Sequence, residues 1–248
     1  MATGRLWTAE EIVRAILLYC ETPFGQIHDR NPSIIALAKQ LGRTPGSVGL
    51  KLANLASLDE SIDRTGMRNA SRLDRELWIT FFEDPEAFLG RALTDQTYDF
   101  PSQLADYPAG MSDVSGEDIE VLSTARKGQK FFRKSVLASF NSRCCITSIQ
   151  KPELLNASHI IPWSTDKQER LNPANGLCLN ALHDRAFDRG LITLDDNFRI
   201  VLSKEIRKIS PENFERFEGC QIELPDRFLP SAEALRFHRN WASEMRSY

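Results

Sequence analysis

Asn156-Ala-Ser-His-Ile-Ile-Pro-Trp163 decides the fold of the second half of this 248-residue chain, together with Leu171-Asn-Pro-Ala-Asn-Gly-Leu-Cys-Leu-Asn-Ala-Leu-His-Asp-Arg-Ala-Phe-Asp188. In the first stretch a histidine closes an apolar strand. In the second, an Asn-Gly pair opens another apolar run, and a further histidine follows eight residues after the Asn. The pattern predicts a strand, a loop, a strand and a helix over Ala181–Arg189, with Asn180 as its cap and Gly190 after its end.

The order His–Asn–His across these elements resembles the HNH, or ββα-metal, endonuclease family. The resemblance implies a metal-dependent phosphodiester hydrolase in which His159 is the general base, a task that suits imidazole because its unperturbed pKa is about 6.5. It also implies that His183 binds Mg²⁺ or Mn²⁺, and that Asn175 either helps to bind the metal or orients the base. We expect Arg185 either to steady the phosphate or to be an ordinary surface residue.

One departure from the family pattern concerns the metal. Many members carry Asp immediately before the first histidine as a metal ligand, whereas this chain has Ser158. Serine is a poor ligand for a hard cation. Asn175, Asp184, Asp188, water and substrate phosphate would then have to complete the ligand set.

A second departure concerns the cysteines. Many family members bind structural zinc through two Cys-x-x-Cys pairs. Here Cys144 and Cys145 are followed by Thr147, and Cys178 has no thiol partner three residues further on. Neither cysteine segment has the Cys-x-x-Cys spacing, so the four sulfur ligands of a structural zinc site are not present and no structural zinc is expected.

The resemblance extends to both sides of the window. Upstream, residues 126–137 look like the helix that precedes the catalytic hairpin in bacterial restriction-type HNH proteins. Phe132, Val136 and Phe140 recur there at four-residue spacing, which predicts one buried helical face. Downstream, residues 191–202 predict a β-hairpin.

Length and composition predict two domains. Residues 94–125 carry seven acidic and no basic side chains, together with prolines and glycines, which is typical of a linker. We expect a mostly helical domain over residues 1–93, an acidic linker over 94–122 and a ββα-metal nuclease domain over 123–248. The predicted fold class is therefore α+β.

The net charge of −3 argues against a nucleic-acid partner only until its distribution is considered. Residues 126–248 carry 20 basic and 15 acidic side chains, so the second half is basic and the linker holds the acidic excess. A basic face is expected on a protein that binds phosphates, although an ordinary solvated face has the same composition. Double-stranded DNA is the expected partner.

The first half is predicted to be a set of short helices. Thr8-Ala-Glu-Glu11 has the form of a capping box, Asn31-Pro32 starts a second helix, and Gly42-Arg43-Thr44-Pro45 ends that helix and starts a third. Two helices joined by a short turn are typical of helix-turn-helix and winged-helix modules, although many such pairs only build a core. The candidate DNA contacts are Arg43, Ser47, Lys51 and Asn54 on the third helix, and Arg64, Arg68 and Arg72 in a basic loop or wing.

Targeting signals are not evident in the sequence. No apolar run approaches the roughly 18 residues that span a membrane, and the start of the chain lacks the apolar segment of a secretory signal. Five cysteines form no disulfide-scaffold pattern. We expect a soluble cytoplasmic protein with no membrane partner.

Three functions remain open. The first is a restriction-type DNA endonuclease, and the resemblance adds that several such fusions act on methylated or otherwise modified DNA. The second is a nicking, homing or phage-processing nuclease with the same chemistry. The third is a DNA-binding regulator whose HNH half has lost catalysis, a function that Ser158 keeps open. Because a double-strand cut needs two active sites or two successive events, we expect a homodimer.

Overall fold

The computed structural model of this chain describes residues 5–62, 69–94 and 116–248. Its helices and strands are α1 (Ala9–Glu21), α2 (Pro32–Leu41), α3 (Pro45–Ala56), α4 (Arg72–Glu83), α5 (Pro85–Thr94), α6 (Gly116–Ser139), β1 (Leu155–His159), β2 (Gly176–Asn180), α7 (Ala181–Phe187), β3 (Ile192–Leu194), β4 (Ile200–Leu202), α8 (Lys204–Ile209) and α9 (Ala232–Met245). Helices and small antiparallel sheets together make the predicted α+β class. None of the described helices is both long and apolar enough to cross a membrane.

The helix starts in the first half follow local capping signals. Thr8 and Glu11 form the predicted capping box of α1. Asn31 caps α2 and Thr44 caps α3, and each cap is followed by a proline at the first helical position. Gly42 ends α2 with a φ of 60°, a left-handed conformation that glycine adopts without strain. The predicted starts of these three helices are confirmed.

Helix α6 connects the two halves of the molecule. It packs against α1 and α5 on one side and against β1 and β2 on the other. Phe131 meets Phe81 of α4 edge-on at 6.1 Å, while Phe132, Val136 and Phe140 are buried as predicted. The buried apolar residues consequently form one cluster that spans both halves.

The predicted linker over 94–122 is only partly described. Its last residues, 116–122, belong to α6. Residues 95–115 lie outside the described part of the chain.

A buried arginine makes another connection between the halves. Arg227 donates to the carbonyl oxygens of Tyr19 at 2.5 Å and Cys20 at 3.1 Å, and also to that of Thr22. Carbonyl groups at a helix C-terminus lack intrahelical donors, and the guanidinium supplies them at the end of α1. The guanidinium also lies 4.7 Å from the centre of the Tyr19 ring. The C-terminal segment is thereby anchored to the first helix.

The strand–strand–helix order predicted for the second half is confirmed. β1 and β2 pair antiparallel, with His159 opposite Gly176. A Cβ at Gly176 would come within 2.3 Å of Cγ2 of Val136, so glycine is required where the sheet meets α6. Asn180 caps α7 by accepting from two backbone N–H groups of its first turn. The capped start of α7 brings this helix against β1.

The remaining elements pack behind α7, which ends at Phe187, two residues earlier than predicted. β3 and β4 form the hairpin predicted for residues 191–202, and α9 packs on β3. His238 of α9 stacks on Phe187 with ring centroids 3.7 Å apart. Its Nδ1 lies 2.8 Å from the Thr193 hydroxyl oxygen, and its Nε2 lies 3.2 Å from the Phe187 carbonyl oxygen. His238 is therefore a core residue.

Candidate active site

The imidazole of His159 lies at the end of β1 in an aromatic enclosure. Phe132 of α6 stacks on it with ring centroids 3.7 Å apart, and Trp163 meets it edge-on at 5.6 Å. Its Nε2 lies 3.0 Å from the backbone carbonyl oxygen of Arg170. These contacts together fix the orientation of the ring.

The same surroundings set the protonation of His159. Burial lowers the pKa of His159 below its ordinary value, against the opposing effect of the Arg170 carbonyl. The imidazole is therefore neutral at neutral pH. In that form Nε2–H donates to the carbonyl, which leaves the lone pair on Nδ1. The ring is prepared to accept a proton through Nδ1.

The carboxylates of Asp184 in α7 and of Asp188, the residue that caps the end of α7, share a pocket with this ring. Asp184 and Asp188 are four residues apart and project from the same face of the helix. Together with His159 they line two adjoining pockets of about 410 Å³ and about 600 Å³. A base and a pair of acidic side chains thus meet at one opening at the end of β1.

Strand β1 holds Asp184 in place. Nδ2 of Asn156 donates to one carboxylate oxygen at 2.6 Å, and the hydroxyl of Ser158 donates to the other. Ser158 stands where the resemblance leads one to expect an aspartate. Here it orients an acidic side chain from the neighbouring helix.

The surroundings of Asp188, including the neighbouring Asp184 carboxylate, change its pKa. Burial in the pocket and the neighbouring Asp184 carboxylate raise the pKa of Asp188 to about 6, against the opposing effect of Arg185 and Arg189. Either protonation or a bound cation relieves such repulsion. Carboxylate oxygens are donors of the kind that Mg²⁺ and Mn²⁺ prefer, and the Ser158 hydroxyl orients one of the two carboxylates. This donor set fits a divalent cation.

Asn175 is fully buried and braces the loop that follows His159. Its Oδ1 accepts from the N–H of Ile161 at 2.8 Å, and its Nδ2 donates to the carbonyl oxygens of Ile161 and Glu169, each at 3.0 Å. The amide is therefore engaged by backbone groups. Of the two roles predicted for Asn175, these contacts favour orienting the base over binding metal.

His183 points away from that pocket. The ring is buried, with Nδ1 3.1 Å from Oδ1 of Asn180 and Nε2 3.2 Å from the carbonyl oxygen of Asn213. Phe214 packs edge-on against it at 5.3 Å, and burial lowers the pKa of His183. These contacts give the ring a structural role, and metal binding by His183 stays a prediction. The next residue, Asp184, is the one that faces the pocket.

Arginines surround the opening. Arg185 is exposed and lines the larger pocket together with Arg189. Arg133 of α6 lines the smaller pocket and donates to the carbonyl oxygen of Pro152 at 3.0 Å. The position of Arg185 is compatible with the predicted phosphate contact.

Two residues predicted to contact DNA are instead held inside the helical half. Nη2 of Arg43 lies 2.7 Å from Glu11, and Nζ of Lys51 donates to both carboxylate oxygens of Asp74 at 2.7 Å and 2.9 Å. Both cationic side chains are buried. They stabilise the helical half, and their ion pairs withdraw them from a DNA-facing surface.

The other predicted DNA contacts have different surroundings. Arg72 is 94% exposed and pairs with Glu76 one turn further along α4. Ser47 and Asn54 are partly buried on α3. The remaining two candidates, Arg64 and Arg68, lie outside the described residues.

Cys144, Cys145 and Cys178 are buried free thiols. Over residues 5–62, 69–94 and 116–248, no group of three or more His, Cys, Asp or Glu side chains is placed to hold a metal ion. A cation at Asp184 and Asp188 would therefore also need oxygens from serine, water or phosphate. The expected lack of structural zinc stays a prediction.

Some residues of the site could be identified from the sequence pattern, and others could not. The spacing of Asp184 and Asp188 on a predicted helix places both on one face and marks them as a pair. No local pattern singled out Asn156, Arg170 or Arg189 as part of the site. The contacts of Arg170 in particular join segments that are far apart in the chain.

Comparison with known proteins concerns the same segment. No curated protein matches the chain, but residues 144–195 match the family model of the HNH endonuclease. The matched residues run from the cysteine pair through β1, β2 and α7 to the end of β3. They include His159, Asp184 and Asp188. Geometry and match together support an HNH endonuclease domain at residues 144–195, and hence a nuclease function in general.

Proposed function

We propose that this protein is a metal-dependent DNA endonuclease of restriction type, with His159 as its general base. The observation that carries the proposal is the convergence of His159, Asp184 and Asp188 on one pocket, within the segment that matches HNH endonucleases. A neutral, oriented imidazole beside an acidic pair is suited to hydrolysis of a phosphodiester by an activated water.

The cation is assigned to the two carboxylates that were expected to complete the ligand set, and not to His183 or Asn175. Asp184 and Asp188 would hold one Mg²⁺ or Mn²⁺, with the hydroxyl of Ser158 beside them. When bound, the cation polarises a phosphate oxygen and stabilises charge on the leaving oxygen. In this assignment Asn175 supports the base, and His183 fastens α7 to the segment that follows α8.

The chemical step uses the lone pair on Nδ1 of His159. Nδ1 takes a proton from a water molecule, whose oxygen attacks the scissile phosphorus in line. The new P–O bond forms as the P–O3′ bond breaks, and the leaving 3′-oxygen takes a proton from solvent. The carbonyl of Arg170 stabilises the imidazolium through a charge-assisted hydrogen bond from Nε2–H. Loss of the ring proton to solvent restores the base.

Arginines beside the pocket are proposed to hold the DNA strand. Arg185 on α7 and Arg189, which follows the helix, are both exposed. A guanidinium can donate two parallel hydrogen bonds to one phosphate. Arg185 is therefore assigned to the phosphate that is cleaved or to its neighbour.

The helical half is proposed to select the DNA site. The α2–α3 pair, joined by the turn at Gly42, supports a helix-turn-helix or winged-helix-like module. With Arg43 and Lys51 paired internally, the proposed contacts are Ser47, Asn54, Arg64, Arg68 and Arg72. Dependence on a base modification, cutting as a homodimer and residence in the cytoplasm belong to the same proposal.

A plasmid cleavage assay tests this function. The protein is incubated with Mg²⁺ or Mn²⁺ and with unmodified, cytosine-modified or adenine-methylated plasmid, and His159→Ala is the control. Cleavage of one modified plasmid, lost in the variant, supports a modification-dependent restriction nuclease. Equal cleavage of all plasmids supports a nicking, homing or phage-processing nuclease. DNA binding without cleavage in every condition would contradict the enzyme and support a regulator with an inactive HNH half.

A further inference from the structure

Arg170 contacts both the base and the helical half. It lies in the loop between β1 and β2, where its backbone carbonyl oxygen is 3.0 Å from Nε2 of His159. Its side chain extends in another direction, and Nη1 lies 3.3 Å from Oε1 of Glu86 on α5. One residue thus links the proposed catalytic centre to a helix of the other half.

Further contacts hold the Arg170 side chain in place. Its Nε donates to the carbonyl oxygen of Trp163 at 2.7 Å, and its guanidinium lies 5.2 Å from the centre of the Trp163 ring. Trp163 in turn meets the His159 ring edge-on at 5.6 Å. The carbonyl of Arg170 and its aromatic partner therefore touch the base from two directions.

We propose that Arg170 and Glu86 are positioning residues for the general base, through which the helical half orients His159. This inference rests on the proposed role of His159. The ion pair keeps the guanidinium on Trp163 and the Arg170 carbonyl aligned with Nε2. The lone pair of the neutral ring then stays on Nδ1. Without the pair, the loop gains freedom and the imidazole loses a fixed partner, which slows a reaction that depends on alignment.

The exposure of the Arg170–Glu86 pair determines how strongly its loss should slow cleavage. Arg170 is 20% exposed and Glu86 38%, so water screens part of their attraction. Loss of Glu86 alone is thus expected to have a small effect. Loss of the Arg170 guanidinium also removes the Trp163 contacts and is expected to have a larger one.

The charges of the two residues separate positioning from DNA binding. Glu86→Gln removes a negative charge and cannot weaken attraction to phosphates. Arg170→Lys keeps the positive charge but lacks both the planar fork and the Nε donor. A slower cleavage step with unchanged DNA affinity in both variants therefore indicates lost positioning.

Single-turnover cleavage and DNA affinity are measured side by side. We expect Glu86→Gln to slow cleavage about threefold, as is usual for a partly exposed ion pair, and Arg170→Lys about tenfold. Glu86→Gln should have no further effect in an Arg170→Gln background, because the cationic partner of Glu86 is already lost there. Glu205→Gln, which removes another partly exposed pair with Arg246, is the matched control and should cleave like the wild type. A wild-type rate in Glu86→Gln, or losses that lie entirely in DNA affinity, would overturn the proposal.

The protonation site of His159 gives a readout independent of catalysis. Long-range ¹H–¹⁵N NMR spectra report which ring nitrogen carries the proton, and His159→Ala identifies the His159 signals among those of the four histidines. We expect the Nε2–H form in the wild type and a mixture of forms in Glu86→Gln and Arg170→Lys. If the variants show a mixture of the two protonated forms of His159 but the protein never cleaves DNA, the result would support the orienting role of Arg170 and Glu86 and reject the nuclease function. Unchanged spectra with unchanged rates in an active nuclease would reject the link alone.

Discussion

The two halves of the molecule use their basic side chains differently. In the helical half, Arg43 and Lys51 are buried in ion pairs. In the catalytic half, Arg185 and Arg189 are exposed beside the pocket. The sequence shows that a helix carries a cationic side chain. Whether that side chain is exposed depends on whether a carboxylate from a distant part of the chain pairs with it. The exposed arginines of the second half are therefore the stronger evidence for phosphate binding.

The difference also has an energetic side. Asp74, the partner of Lys51, is only 1% exposed. Removing one member of a buried pair leaves the other charge desolvated and uncompensated, which is strongly destabilising. A residue exposed at the pocket, in contrast, can be removed with little effect on folding. Stability and activity should therefore respond to different arginines and lysines.

The largest effect is expected from the base. His159→Ala should slow DNA cleavage about 10²–10⁴-fold, which is the usual contribution of a positioned general base. DNA affinity, measured by fluorescence anisotropy, should be nearly unchanged because phosphate contacts dominate it. Equal losses of binding and of cleavage would contradict the assigned role.

Asp188→Asn should separate function from stability within the catalytic half. Burial and Asp184 raise the pKa of Asp188 from its ordinary 3.8 to about 6, so the folded state holds this proton more tightly than the unfolded chain. Stability from this group is then lost as the pH rises from 3.8 to 6 and remains absent above. At pH 7.5 and without metal, the variant should melt at the same temperature as the wild type or higher.

The same variant should lose cleavage and the rise in melting temperature that Mn²⁺ produces in the wild type. Thermal melts with and without Mn²⁺ provide the measurement. Asp166→Asn, a change at a half-buried carboxylate that lines neither pocket, is the control. A full Mn²⁺ response in Asp188→Asn would exclude Asp188 as a ligand.

Lys51→Met should act on the fold of the helical half. We expect a loss of about 3–5 kcal/mol in the free energy of unfolding, because Asp74 would be left buried and unpaired. Arg72→Ala should leave it nearly unchanged, since that pair is exposed. Urea unfolding measures both. Reduced DNA affinity in a folded Lys51→Met protein, with unchanged stability, would show that Lys51 binds DNA and does not stabilise the helical half.

The smallest effect is expected from the packed histidine of the catalytic half. Burial lowers the pKa of His238 to about 4, so protonation favours the unfolded chain. The contribution of His238 is complete above pH 6.5 and is lost as the pH falls towards 4. Between pH 7.5 and pH 5.0 the wild type should lose about 2 kcal/mol more stability than His238→Gln. Urea unfolding at the two pH values checks this, and equal losses would show that His238 is free to protonate in the fold.

Much of the fold could be predicted because its signals are local. Thr8, Asn31 and Asn180 cap helices through contacts with residues two or three positions away. The ββα order and the β3–β4 hairpin follow from apolar runs and turns in the same way. Such contacts depend on neighbouring residues alone and can be derived from the sequence.

The rotation of α7 could not be predicted. Neighbouring residues of a helix point about 100° apart, and here Asp184 lines both pockets whereas His183 lines neither. Burial of Ala186 and Phe187 sets which of them does so. The pair of Arg43 with Glu11, 32 residues apart, and the pair of Arg170 with Glu86, 84 residues apart, likewise depend on the tertiary fold.

Mn²⁺ binding by Asp184→Asn and by His183→Gln is the most direct test of a catalytic centre built from α7 carboxylates and His159. Isothermal titration calorimetry is combined with plasmid cleavage, and circular dichroism verifies that both variants are folded. We predict that Asp184→Asn loses both Mn²⁺ binding and cleavage, whereas folded His183→Gln still binds Mn²⁺. Full Mn²⁺ binding by Asp184→Asn, with loss of binding by folded His183→Gln, would contradict this assignment.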